Sequence, residues 1–300
     1  SFSFTALAKA SKNMLNNKCY LCNSKNNFER PGSVRDNKKL KVLECNDCGL
    51  VYLSSKKHIK EFHYEESGMH DGEKPDVNSW LKASRVDDMR RYNFLKERVV
   101  NKKVLDFGCG AAGFLELASK RAKKVDGIEL ERAMQESFTK RNLNVYTNYE
   151  QALQSSKKWD TLTAFHVVEH LPDPIKILSK LSKLLTDDGE MFIEVPNSED
   201  ALLTLYENKE FQNFCYWSQH LYLFNNHNLQ ELAKKAKLKV KWIKYVQRYP
   251  LSNHLYWLSK GKPAGHKVWN FLDNISLNKK YEIQLAELGI TDTIIVCLKK

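Results

Sequence analysis

The chain has 300 residues, a net charge of +12 and a hydrophobic content of 42%. That is enough apolar material for a core domain with appendages, and no apolar run approaches the ~20 residues of a membrane span, so a helical membrane protein is excluded. Residues 1–17 lack the apolar stretch of a signal peptide, and a soluble, cytoplasmic protein without membrane insertion is expected.

The first sixty residues carry two cysteine knuckles, Cys19-x-x-Cys22 and Cys45-x-x-Cys48, with 22 residues between them. Each knuckle can place two sulfurs on one tetrahedral ion, so the four predict a zinc site. With all four positions taken by thiolates the zinc would be structural. Disulfides are the competing reading, but they do not suit a cytosolic chain. Pro31-Gly32-Ser33 reads as a turn, and the segments around 40–43 and 49–53 as short strands. Residues 1–60 are thus expected to form a zinc-ribbon module. Residues 61–100 are expected to form a helical arm, marked by Ser79, Leu81, Met89 and Leu95.

From 101 to 199 strand and helix alternate. Strands are predicted at 103–107, 124–130, 143–147, 159–165 and 190–195, with helices at 113–122, 131–140, 149–155 and 173–185. Alternation of this kind predicts an α/β fold with a parallel sheet and ligands at the carboxyl ends of its strands. A helix at 228–237, a strand at 238–247 and a last strand at 290–298 follow. An aromatic segment around His220, 200–225, and an insertion with further aromatics and histidines, 249–289, mark this final part.

Val104-Leu-Asp-Phe-Gly-Cys-Gly-Ala-Ala-Gly113 reads as a buried strand entering a glycine-rich turn. Such a turn brings backbone close to a nucleotide-like ligand. Glu129, after the next strand, can accept hydrogen bonds from two ribose hydroxyls. Gly108, Gly110 and Gly113 also fit a dinucleotide fingerprint, but Asp106 would repel a pyrophosphate and attract a cation. S-adenosylmethionine carries an ammonium and a sulfonium and no phosphate, so it is the expected cofactor.

The order of motifs resembles the class I S-adenosylmethionine-dependent methyltransferases over roughly residues 85–245 and the last strand. The resemblance rests on Val104–Gly110, Gly127-Ile-Glu129, Phe165-His-Val-Val-Glu-His-Leu-Pro-Asp-Pro174 and Gly189–Asn197. It implies a Rossmann-like seven-stranded sheet whose last strand is antiparallel and slots between the fifth and sixth. It also implies a methyltransferase domain over 101–300, with acceptor-site insertions at 200–225 and 249–289. The cysteine-rich front end is similar to bacterial methyltransferases of sugar and surface-polysaccharide biosynthesis. The acceptor implied is a small molecule, a sugar or sugar nucleotide. The chain stops after the seventh strand, without the extra domain of the C-methylating members, and transfer to oxygen is expected.

In those C-methylating relatives an aromatic-x-Glu-His segment supplies catalytic groups; here it reads Trp217-Ser-Gln219-His220. His220 is therefore the first candidate base and His170, beyond the fourth strand, the second, although His170 equally suits the cap of the following helix. Asp106, Phe107, Gly108 and Gly110 are expected near the methionine moiety and Glu129 at the ribose. Leu130 and Asn148 should flank adenosine, and Phe165 and His166 the sulfonium. By resemblance to quinone methyltransferases, Arg91 would reach the methionine carboxylate. Tyr216, Trp217, Tyr222, Asn253, His254, Lys262 and His266 are the candidate acceptor contacts, with Tyr64 and His70 reaching over the site; the aromatics equally suit the core of a cap. The zinc ribbon and the scattered lysines also fit an RNA methyltransferase, but neither an Asn-Pro-Pro-Tyr nor a Pro-Cys motif is present. A non-catalytic scaffold is disfavoured by the intact donor motif, and a dehydrogenase by Asp106.

Overall fold

The computed structural model describes residues 17–70 and 72–300. The first sixteen residues of the expected ribbon, and most of the stretch read as lacking a signal peptide, lie outside the described residues. Among the described residues eleven strands run in chain order: β1 (Asn27–Glu29), β2 (Val42–Cys45), β3 (Val51–Leu53), β4 (Lys103–Phe107), β5 (Lys124–Ile128), β6 (Val145–Tyr146), β7 (Trp159–Phe165), β8 (Leu185–Pro196), β9 (Tyr222–Leu223), β10 (Lys239–Val246) and β11 (Thr293–Lys299).

Seven of them form one sheet in the order β10-β11-β8-β7-β4-β5-β6. The pairs from β8 to β6 are parallel, while β11 lies antiparallel to both β8 and β10. The expected slot for the last strand is therefore the observed one. Val104, Leu105, Leu162, Met191, Phe192, Ile193, Val195, Ile294 and Val296 are all buried, as strands covered on both faces require. Local chemistry agrees with the alternation. Asp173 caps the helix Pro174–Leu181 by accepting the Lys176 N–H, and Pro174 starts it where an N–H has no intrahelical partner. Asn225 and Asn228 form a reciprocal capping box at the start of the helix Asn226–Lys235.

β1, β2, β3 and β9 form a second sheet, with Tyr52 opposite Tyr222. The cysteine-rich module thus borrows its fourth strand from the aromatic segment after β8. The helical arm begins later than expected: residues 56–70 are turns and a short 3-10 helix, and the helix proper is Val77–Phe94. Asp76 sets that start by accepting the Asn78 N–H at 3.1 Å and the Ser79 hydroxyl at 2.7 Å. The segment read as an insertion folds into the helices Leu251–Lys260, Gly265–Val268 and Ile275–Leu288. Among the described residues no helix is long and apolar enough to cross a membrane.

Candidate active site

A cavity of about 610 Å3 opens at the carboxyl ends of the parallel strands, roofed by the cap segments and by Tyr64, Met69, His70, Trp80, Ser84 and Asp87. Its first wall is the turn after β4. Gly108 and Gly110 take left-handed backbone, with φ +69° and +52°. A Cβ on Gly108 would lie 2.5 Å from Val167 Cγ2, and one on Gly110 2.7 Å from Trp80 Cζ2. Only glycine leaves room for both the turn and these neighbours. The Glu129 carboxylate accepts the Gly110 N–H at 2.8 Å and the Glu131 N–H at 3.0 Å, so it stands fixed at the end of β5. Phe107, Leu130, Phe165 and His166 complete this wall. The narrow glycine cradle beside an anchored carboxylate fits the ribose and methionine parts of S-adenosylmethionine.

Asp106 does not line the cavity. It is 3% exposed, accepts the Thr163 hydroxyl at 2.6 Å, and burial pushes its carboxyl up to about 7. Asn148 is also absent from the wall; it caps the helix Tyr149–Gln154 through the Gln151 N–H at 2.9 Å. Both side chains answer a demand of the fold, one within the sheet and one at a helix end.

Beneath the donor wall lies an ionic network that the sequence did not announce. The side chain of Glu194 on β8 is inaccessible and accepts bonds from Arg90 at 2.9 and 3.0 Å and from Arg91 at 2.9 and 2.7 Å. Burial would raise its carboxyl, but Arg91, His166 and Arg90 outweigh that and hold it well below the usual range. Arg91 lines the cavity, but its guanidinium is held by Glu194 and lies 4.8 Å from the Phe165 ring centre. Arg248 is paired to Asp87, and its Nη1 lies 3.1 Å from His166 Nε2. The His166 ring also faces two carboxylates, with Nδ1 3.2 Å from Glu169 Oε1 and Nε2 3.2 Å from Glu194 Oε1.

The opposite end of the cavity is aromatic. The His170 Nδ1–H donates to the Gln219 carbonyl at 2.7 Å, leaving Nε2 free to accept. Its ring lies 5.0 Å from that of His220, which lies 5.4 Å from Trp217. Burial, with His170 beside it, pushes the His220 imidazole down to about 3. Two buried atoms here have no partner among the described residues, His220 Nδ1 and Glu169 Oε2. One ligand atom from each of Glu169, His170 and His220 lies within 4.8 Å of the others, a set that can hold a divalent cation. Asn253, His254 and His266 line the cavity, as do Tyr64 and His70. His254 is tied to the Tyr281 hydroxyl at 2.7 Å, and burial lowers it to about 4. Arg35 enters from the ribbon, 4.6 Å over the Trp217 ring, and was not anticipated.

Three expected acceptor contacts are elsewhere. Tyr216 is 2% exposed and packs against the ribbon turn, where a Cβ on Gly32 would lie 2.8 Å from its ring. Tyr222 sits in β9 and accepts from Lys56 Nζ at 2.7 Å. Lys262 points to solvent, while its neighbours Pro263 and Ala264 form the wall. Both tyrosines face the ribbon, while Phe214, Trp217 and His220 of the same segment line the cavity.

The sulfurs of Cys19, Cys22, Cys45 and Cys48 lie within 4.8 Å of one another. The Cys19–Cys48 and Cys22–Cys45 separations are 3.5 and 3.4 Å. That is far beyond a disulfide bond of ~2.05 Å and close to the ~3.8 Å edge of a tetrahedron with Zn–S bonds of ~2.3 Å. Each knuckle closes alike: the Asn23 N–H returns to the Cys19 carbonyl and the Gly49 N–H to that of Cys45, with φ +63° and +72° at the returning residues. The donor set and the turns fit one zinc ion.

Residues 82–241, more than half of the chain, match the family model of the methyltransferase domain. The chain is similar to a ubiquinone biosynthesis O-methyltransferase of Hydrogenovibrio crunogenus, 24% identical over 185 residues, covering 55% of this chain and 77% of the relative. One from Pseudomonas aeruginosa is 28% identical over 117 residues, covering 36% of this chain and 50% of the relative. The chain thus spans between half and about three quarters of these curated relatives. A SAM-dependent methyltransferase structure from Thermotoga maritima superposes with a TM-score of 0.50 at 18% identity, covering 80% of this chain and 99% of the other, which supports the fold alone. With the strand order and glycine cradle described above, the match places the chain in the family of class I S-adenosylmethionine-dependent methyltransferases.

Proposed function

We propose that the protein transfers a methyl group from S-adenosylmethionine to a hydroxyl oxygen of a small-molecule acceptor. One observation carries this reading: a single cavity joins the glycine–Glu129 wall to the His170–His220 pair. When bound, the donor supplies an electrophilic methyl on a sulfonium. The chain's residues do the rest. Glu129 and the glycine turn position the donor, and Trp80 and Phe165 exclude water from its side. Trp217, Phe214 and Trp257 offer flat apolar faces on which a sugar or an aromatic ring can stack. The His170–His220 pair is placed to take the hydroxyl proton, at His170 Nε2 or at the unpartnered His220 Nδ1. A base as weak as His220 suits an acceptor whose proton leaves late, after the methyl has begun to move. Zinc in the four-thiolate site would hold the ribbon against the cap and has no part in proton transfer.

For the acceptor, a sugar or nucleotide-linked sugar hydroxyl in surface-polysaccharide biosynthesis is the reading drawn from the ribbon. A phenolic hydroxyl is the second reading, favoured by the ubiquinone O-methyltransferases among the relatives. Methyl-labelled S-adenosylmethionine, incubated with the full chain and a bacterial extract, separates them. Label in nucleotide sugars or saccharides supports the first and label in phenolic extracts the second. RNase-sensitive label in polymer would overturn both and make the ribbon an RNA-binding surface.

A further inference from the structure

The segment 249–289 carries an apolar tip that nothing in the methyl-transfer site uses. From 268 to 277 the chain places five large apolar side chains in solvent: Val268 is 53% exposed, Phe271 75%, Leu272 43%, Ile275 92% and Leu277 47%. Leu255 and Leu258, on the outer face of the adjoining helix Leu251–Lys260, add 38% and 44%. An exposed apolar cluster of this density marks an interaction site rather than ordinary surface. The tip is not loose. Asp273 accepts from Ser252 Oγ at 2.8 Å and Asn278 Nδ2 at 3.2 Å, and Trp269 packs edge-on against Tyr256.

Charge indicates the occupant. Lys260, Lys262, Lys267, Lys279 and Lys280 are exposed around the tip, and Asp273 is the one carboxylate between residues 251 and 281. Lys279 pairs with Glu282 at 2.9 Å; among the described residues the other four have no carboxylate within 4.0 Å. Apolar side chains ringed by lysine fit a bilayer with anionic headgroups, the apolar groups entering the acyl boundary and the lysines meeting the phosphates. A second copy of this chain would bring the same lysines face to face. Pro263, Ala264 and His266, between the two halves of the tip, line the cavity. We propose that this tip docks the protein on an anionic membrane surface, with the cavity mouth beside the bilayer and within reach of acceptors carried there. The proposal concerns where the enzyme works and does not depend on which hydroxyl it methylates.

The test is flotation of the full zinc-loaded chain with vesicles of phosphatidylcholine alone and of equal parts phosphatidylcholine and phosphatidylglycerol. Binding is expected to the mixed vesicles only. It should fall more than about tenfold in F271D/I275D, and by about fivefold for each lysine removed in K260Q, K262Q and K267Q. S-adenosylhomocysteine affinity should be unchanged in all of them, which shows that the fold is intact and separates this test from that of methyl transfer. No vesicle binding, or equal binding to both vesicle types, would overturn the proposal. So would a dimer in the native chain that F271D/I275D dissociates without any vesicle binding.

Discussion

Glu194→Gln probes the charged network that holds the donor wall to the sheet. The substitution keeps the shape of the side chain and one acceptor oxygen. It removes the charge and turns an amide NH2 toward a guanidinium. Arg90 and Arg91, with side chains only 24% and 11% accessible, would lose their shared partner. Breaking a buried pair from one side costs about 3–5 kcal/mol, and a value near the lower end is expected because Arg90 keeps Asp87 at 3.2 Å and Arg91 keeps Asp88 at 3.7 Å. Against a total of about 5–15 kcal/mol this is a large share, and it should lower the urea midpoint by roughly 1–2 M. Linkage adds a second signature. The folded carboxyl titrates well below its ordinary value because Arg91, His166 and Arg90 outweigh its burial. Its stabilisation is therefore present above the unfolded value near 4.3 and is lost as pH falls through the lower folded value. Urea melts of the native chain and the variant, followed by tryptophan fluorescence, should differ most at neutral pH and converge in acid. A midpoint shift under about 0.3 M at neutral pH, or a gap that stays constant down to about pH 3, would refute the reasoning.

Gly110→Ala places a Cβ 2.7 Å from Trp80 in left-handed backbone, so Trp80 must leave the wall. S-adenosylhomocysteine affinity by calorimetry should drop about tenfold as Trp80 is displaced, and an unchanged affinity would separate that wall from the donor site. His220→Ala should lower kcat by roughly 10²–10⁴ with donor affinity intact; a loss below about threefold would remove it as the base. Asp200 is buried near Asp292, and its carboxyl is pushed up to about 8. Its contribution is complete below the unfolded value near 3.9 and lost as pH rises through 8, so Asp200→Asn should lose less stability than the native chain between about pH 5 and pH 9 in thermal melts. Elemental analysis should find one zinc per chain, and Cys45→Ser should lower both zinc content and Tm; a metal-free native chain of equal Tm would remove the zinc site.

The sheet was legible because alternation, a glycine turn and two knuckles are local signals whose physics does not depend on the rest of the chain. The site was legible in part. Glu129, Gly108, Gly110 and the two histidines reached the cavity because strand ends and turns fix their position. Tyr216, Tyr222 and Lys262 did not, because composition marks an aromatic cap without saying which of its sides faces the ligand. Asn148 and Asp106 were claimed by a helix end and by Thr163, demands that a ligand motif does not display. Glu194, Arg248 and Arg35 were missed for the converse reason. Each meets its partners only through long-range packing, and as single charged residues in ordinary surroundings they gave no signal.

The sharing of β9 between ribbon and cap has a consequence for how the chain is made. Both knuckles leave the ribosome well before β9, and their thiolates can take a metal at once. The small sheet stays one strand short until residues 222 and 223 have been added and most of the large sheet exists. Closing so distant a pair is slow, because loop entropy is lost before contacts reward it. The ribbon therefore waits with one side unpaired, and the edge of β3 is the place where a second nascent chain, or a chaperone, would first find a strand to join.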